Sequence, residues 1–280
     1  MERRTPHAGA AVAAALTAAA ALAVCDSRYR LELTEYSLYC PRLPAAFDGF
    51  RIVQLSDLHG ARFGRDNERL VRAVARLQPD LIALTGDLAG REMQLAAVEG
   101  LLRGLRGIAP CCAVSGNHEW AGACHWPLRE LLDAYDVRSL ENCWTCLERG
   151  GARIVVAGAE DPYGWTDRIP PEELAARLRE AYPEDFVLWL GHRNDWIRKY
   201  PALPVDLILS GHAHGGIVRL PGLGGLLNND HSLRAEYEAG LYHSGRFTLL
   251  VSRGLGNSVP IPRLFNRPEI VSLQLRSGQA

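Results

Sequence analysis

Beyond its first thirty residues the chain alternates two patterns: short runs of consecutive apolar residues, and polar stretches whose apolar residues return every three or four positions. The runs Arg51–Ser56, Asp80–Thr85, Cys111–Ser115, Arg153–Ala157, Phe186–Leu190, Val205–Ser210, Phe247–Ser252 and Glu269–Leu275 predict strands, largely buried. Between them, Leu70, Val71, Val74 and Leu77 mark the apolar face of a helix over Asp66–Leu77, which Pro79 stops. Glu92–Leu105 predicts a second helix, and Glu172–Ala181, entered through Pro170-Pro171, a third with proline at its start. Strands alternating with helices predict an α/β domain. Pro221–Gly225 reads as a loop, and no internal repeat or long linker interrupts the chain. The division that follows is an N-terminal segment over 1–30, a connecting segment with a first strand over 31–50, and one α/β domain over 51–276.

The first segment departs from both patterns. Two arginines within Met1–Arg4 precede Ala8–Val24, 17 positions without a charge, and Asp26 and Arg28 close the run. Eleven of those 17 residues are alanine, so the run is weakly apolar and at the short limit for crossing a bilayer. A basic start before an apolar run predicts a single membrane anchor; cleaved export is the second reading and a soluble alanine-rich helix the third. Leu22–Cys25 is a poor lipoprotein box, because Val24 stands where a small residue is usual.

Composition narrows the class further. A chain of 280 residues, 48% hydrophobic and 22% charged, is an ordinary globular one rather than a disordered or collagen-like one. Its 31 basic and 32 acidic residues leave a net charge of −1, without the basic surplus of a nucleic-acid-binding domain. Seven cysteines are too few for a disulfide scaffold, and the odd count leaves at least one unpaired within the chain.

Specific chemistry lies where the predicted strands finish. Five strand ends run into polar clusters: Asp57-Leu58-His59, Gly86-Asp87, Gly116-Asn117-His118-Glu119, Gly191-His192 and Gly211-His212-Ala213-His214. In an α/β sheet ligands gather at the carboxyl ends of strands, so loops far apart in sequence can converge there. Two aspartates, one asparagine and four histidines supply oxygen and imidazole nitrogen but no thiolate. That mixture suits Mn²⁺, Fe or Zn²⁺ rather than an all-oxygen calcium cage. Seven ligands are too many for one tetrahedral ion and suit two ions that share a carboxylate, about 3.5–4 Å apart.

Those clusters, in that order, resemble the calcineurin-like metallophosphoesterase superfamily, over about Arg51 to Leu275. His214-Gly215-Gly216, Arg219-Leu220-Pro221, Ser252–Asn257 and Asn266–Ile270 further resemble its bacterial, membrane-associated YkuE/YaeI-like phosphodiesterase branch. The resemblance implies a four-layer αββα sandwich with two mixed β-sheets. It also implies that Asp57, His59 and His214 bind a first metal ion, that Asp87 bridges, and that Asn117, His192 and His212 bind a second. Manganese is the favoured ion, and a metal-bridging hydroxide the expected nucleophile. His118 is the expected catalytic residue beside the scissile phosphate, stabilising charge or protonating the leaving oxygen. The implied activity is that of a phosphodiesterase or pyrophosphatase on a membrane-associated or small phosphodiester. A nucleotide phosphodiesterase and a catalytically silent, membrane-tethered binding protein are the alternatives. Two departures from the branch bear on substrate contacts: Ile217 stands where glutamine is frequent, and Arg193-Asn194-Asp195 replaces a segment that commonly carries proline.

Weaker signals remain. Cys143-Trp144-Thr145-Cys146 is a C-x-x-C without a second ligand pair, best read as ordinary thiols or a local disulfide. Cys111-Cys112 reads as buried packing. His125 reads as a surface-loop residue, and His231 and His243 lie outside the motifs. Leu220–Leu227, with Trp120 and Trp126 in another loop, suggests an apolar rim suited to a lipid-linked ester.

Overall fold

Successive side chains of a strand face opposite ways, so a strand that is apolar at every position must be covered on both faces. The computed structural model, which describes residues 6–164, 169–220, 222–227 and 236–279, meets that requirement with two stacked sheets flanked by helices. The first sheet holds β1 (Glu32–Cys40), β2 (Arg51–Leu55), β3 (Leu81–Thr85), β4 (Cys111–Val114), β5 (Val137–Ser139) and the C-terminal β14 (Glu269–Ser277). Its order is β1-β14-β2-β3-β4-β5; only the β14–β2 pair is antiparallel. The second holds β6 (Cys143–Arg149), β7 (Ala152–Gly158), β8 (Phe186–Leu190), β9 (Leu207–Ser210), β12 (Gly240–His243) and β13 (Thr248–Val251). Its order is β12-β13-β9-β8-β7-β6, parallel across the middle with an antiparallel strand at each edge.

Alternate residues of the same strand enter different cores. Ile52, Leu81, Val114, Ile154, Leu188 and Leu209 meet between the sheets. Their neighbours Val53, Ile82 and Ala113 face outward onto α2 (Glu68–Arg76), α3 (Leu95–Leu105) and α5 (His125–Ala134). On the far side, Val155, Trp189 and Ile208 pack under α6 (Pro171–Ala181) and α7 (Trp196–Lys199). The layers are therefore helix, sheet, sheet, helix, as the family resemblance implied.

The expected strands are all present, and the edges are what the apolar runs did not reveal. β5, β6 and β12 are short or polar, with one exposed face, and so carry no continuous apolar run. Gly224–Gly225, inside the stretch expected to be loop, pairs as β11 with β10 (Arg219–Leu220). Cys143 and Cys146 lie three apart on β6 and thus on opposite faces; both are free thiols, which removes the local disulfide.

α1 (Pro6–Tyr29) stands apart from these layers. Its span Gly9–Tyr29 is long and apolar enough to cross a membrane, a test that a signal sequence also passes, and none of it is buried by the body in its most apolar window. Its last turn is nevertheless tied down: Arg267 meets Asp26 at 2.6 Å, and Ser27 is buried.

Because Leu188 lies at the centre of the inter-sheet core, Leu188→Ala should lower unfolding free energy by about 2–5 kcal/mol in chemical denaturation. The exposed Leu223→Ala should change it by no more than about 0.5 kcal/mol.

Candidate metal centre

Parallel strands deliver their carboxyl ends to one edge of the sandwich. Asp57, Asp87, His192 and His212 each come two residues after a strand end, those of β2, β3, β8 and β9, and Asn117 comes three after β4. The loops then continue pairing beyond the sheets. Asp57 N donates to Gly86 O at 2.9 Å, His59 N to Asp87 O at 3.0 Å, and Gly211 N to His192 O at 3.0 Å. The two sheets are stitched at the same level, where Gln54 Nε2 donates to Ser210 O at 2.8 Å and His212 N to Asp57 Oδ1 at 3.0 Å.

This convergence bends the backbone sharply. Asp57, His59, Asp87, His212 and His214 all have positive φ, between 46° and 71°, in the left-handed region that side chains other than glycine seldom enter. Close approach accounts for two of the glycines. A Cβ on Gly211 would lie 1.9 Å from Ser56 Oγ and 2.3 Å from Asp57 Oδ2. Gly86, at φ +87°, would place one 2.7 Å from His192 Nδ1.

The side chains fall into two sets of possible cation ligands that share Asp87. One comprises Asp57, His59, Asp87 and His214, the other Asp87, His192 and His212. Within the first, His59 Nε2 lies 3.2 Å from His214 Nε2 and 3.6 Å from Asp87 Oδ2, and His214 Nε2 is 3.4 Å from Asp57 Oδ1. In the second, His192 Nδ1 donates to Thr85 O at 2.8 Å, which in a neutral ring leaves a lone pair on Nε2. That lone pair faces Asp87 Oδ2 at 3.2 Å. Asp87 Oδ2, His192 Nε2 and Asn117 Oδ1 are all buried and have no hydrogen-bond partner. Acceptors turned toward one another inside a protein repel unless a positive charge sits between them, so the donor set fits divalent metal ions.

Electrostatics agree for most of the rings. Burial pushes the His59 imidazole down to about 4 and holds His212 and His214 well below the ordinary value, keeping them in the neutral form that binds cations. Asp57 is pushed up to about 6 by burial. His192 is the exception: burial opposes its charge, but the Asp87 carboxylate outweighs it and drives the imidazole up to about 10. Burial likewise opposes the charge of Asp87, which His192 and the neighbouring imidazoles nonetheless hold well below the usual carboxylate range.

His118 and Asn117 open the short helix α4 (Asn117–Ala121). The His118 amide donates to Asp87 Oδ1 at 2.9 Å, and its half-buried ring meets the His59 ring edge-on at 4.8 Å. All eight expected residues thus come together at one edge. Two expectations about the surroundings do not hold. His125 is not on a surface loop; it begins α5, is buried against Glu141 at 2.9 Å, and stacks on Trp120 at 3.6 Å. Trp120 is buried too and forms no exposed rim, although Trp126, Leu220 and Leu223 are exposed. His231 lies outside the described residues.

Several residues quoted in the sequence motifs without a role of their own prove to support the site. Fully buried Glu119 accepts the amides of Gly116 at 2.8 Å, Asp87 at 3.0 Å and Ala89 at 3.1 Å, clamping the loops after β3 and β4 together. Arg193 is gripped by buried Asp161 at 2.7 and 3.0 Å and reaches His212 Nε2 at 3.2 Å. Asn266 Nδ2 donates to His214 O at 2.7 Å and to Ile217 O at 3.1 Å, supporting a turn in which buried Ile217 also takes positive φ. Glu119, three places after Gly116 in Gly116-Asn117-His118-Glu119, was the one visible signal: an acid at that spacing suits a helix start.

The model of the calcineurin-like phosphoesterase family matches residues 50–216. The uncharacterized metallophosphoesterase YkuE of Bacillus subtilis is 31% identical over 280 residues, covering 96% of this chain and 94% of that one. The phosphodiesterase YaeI of Escherichia coli is 30% identical over 233 residues, covering 81% and 82%. A transmembrane protein with metallophosphoesterase domain from Danio rerio is 28% identical over 254 residues, covering 85% of this chain and 55% of that one.

Gly211→Ala should displace Asp57 or Ser56 and destabilise the protein by about 1–3 kcal/mol, measured by denaturation, with a parallel loss of bound metal. An unchanged metal content would mean that the loop after β9 can move aside.

Proposed function

The chain belongs to the calcineurin-like phosphoesterase family and is a metal-dependent phosphohydrolase; we propose that it is a phosphodiesterase or pyrophosphatase working with two divalent ions. The observation that carries this reading is the pair of buried ligand sets joined through Asp87. Asp57, His59 and His214 would hold one ion, Asn117, His192 and His212 the other, and Asp87 is common to both candidate sets. Manganese is our first choice, with iron and zinc suited to the same donors. When bound, such ions would supply positive charge to acidify a water and offset charge on the phosphoryl oxygens.

The protein's own groups do the positioning. Thr85 O fixes the His192 tautomer through Nδ1, and Asn266 steadies the turn that carries His214. His118 is the proposed general acid or charge-stabilising group: its backbone is pinned to Asp87 while its ring stays partly open to solvent beside His59. A role at the leaving oxygen requires that combination of fixed backbone and accessible ring. Arg193 is a positioning residue for His212 in this reading, itself held by Asp161. The substrate is a phosphodiester that is small or membrane-associated. Exposure of the span Gly9–Tyr29 and the relative named as a transmembrane protein support attachment to a membrane through α1.

Hydrolysis of a chromogenic phosphodiester with Mn²⁺, beside the matching monoester, tests the proposal. Chelation should abolish turnover and added metal restore it. Asp87→Ala should lose both metal and activity. His118→Ala should keep its metal, read by elemental analysis, while kcat falls by about 10²–10⁴-fold. An unaltered kcat in His118→Ala would remove that residue from the chemistry.

A further inference from the structure

A cleft of about 490 Å³ opens beside the candidate centre, and its walls come from three parts of the chain. One wall is the loop carrying His59 and Arg62, the second is the 255–263 loop with Val259 and Arg263, and the third is the base of α1, Arg28 and Tyr29. The N-terminal helix therefore does more than tether the body, since its last turn completes a cavity that begins at a proposed metal ligand.

That turn is held in place by contacts to the body. Arg267 grips Asp26 at 2.6 Å, Ser27 is buried, and Arg69 Nη2 donates to Tyr29 O at 3.4 Å. The 21 residues Gly9–Tyr29 make a helix of about 30 Å, the thickness of a bilayer's hydrocarbon core. With that span in a membrane, its last turn lies at headgroup level, and the cleft lies there with it. The exposed side chains at this end match such a position. Arg28 and Arg62 are cationic and solvent-facing, and Tyr29, Ile261 and Phe265 present exposed apolar or aromatic surface.

We propose that this cleft is the substrate groove and that its occupant is an acylated phosphodiester drawn from the bilayer around α1. This rests on the phosphodiesterase reading above and adds the substrate class. The phosphate enters past Arg28 and Arg62 toward His59, while the acyl portion stays beside the helix. The apolar wall for the lipid is then the 255–263 loop, not the 220–227 segment.

The test uses the full-length protein in non-ionic detergent micelles containing a phosphatidylglycerol with a photoreactive diazirine in its headgroup, with adducts mapped by mass spectrometry. Adducts are expected in peptides covering 59–62 and 255–263. Arg28→Glu and Arg62→Glu, both at exposed positions, should each lower that yield about fivefold or more. Adducts confined to residues 9–25, at equal yield in the variants, would overturn the proposal. In parallel, the wild-type protein should favour hexadecyl over methyl p-nitrophenyl phosphate by about tenfold or more in kcat/KM with Mn²⁺. Turnover of the methyl ester without cleft adducts removes the lipid groove and leaves the enzyme, whereas no turnover of either ester removes both.

Discussion

Asp87 Oδ2 is buried with imidazole nitrogens on two sides and no hydrogen to accept. Much of the molecule is arranged to tolerate that placement. In water a carboxylate and several imidazoles would separate or take up protons; inside a protein they stay together only if positive charge joins them or the backbone compels them. Here the backbone does compel them, through five side-chain-bearing residues in left-handed conformation at the ends of three strands. Strain of that kind is retained where the surrounding structure over-determines it.

The over-determination is identifiable. Glu119 takes three amide hydrogens from two loops, Gln54 spans from one sheet to the other, and Asn266 supports the turn around His214. Arg263 is wholly buried and donates to Gly256 O and Asn266 O, so a single guanidinium holds the C-terminal loop against the site. Burial above all, with Arg253 adding to the effect, brings that guanidinium down to about 10; carbonyl oxygens rather than a carboxylate are its direct partners. Glu119 and Asn266 bond directly to the backbones of Asp87 and His214, and Gln54 and Arg263 brace the strand ends and loop beside them.

Legibility in the sequence followed the same division. The eight candidate residues could be read because cation ligands come from a small set of residue types and each cluster follows a strand that is mostly apolar. The central strands were equally plain, since burial on two faces leaves a continuous apolar run. The edge strands β5, β6 and β12 were not, because half-exposed strands mix polar and apolar residues as loops do. His125 illustrates a different limit. Beside two tryptophans and a glycine it suggested a loop, whereas its burial depends on Glu141, a partner 16 residues away that no local pattern announces. Asp161 and Arg193, 32 apart, are hidden for the same reason.

The position of β14 has a consequence for how the molecule is made. Residues 269–277 lie between β1 and β2, so Glu32 pairs with Glu269 and β1 has no neighbour in its sheet until nearly the whole chain exists. A ribosome releases β1 long before its partner β14, and contacts so distant in sequence form slowly. During that interval Glu32–Cys40 would be an unpaired edge, the kind of segment through which nascent chains join one another. Under the proposed attachment of α1 to a membrane, each growing chain would wait for its own β14 at a fixed place, away from the strands of its neighbours.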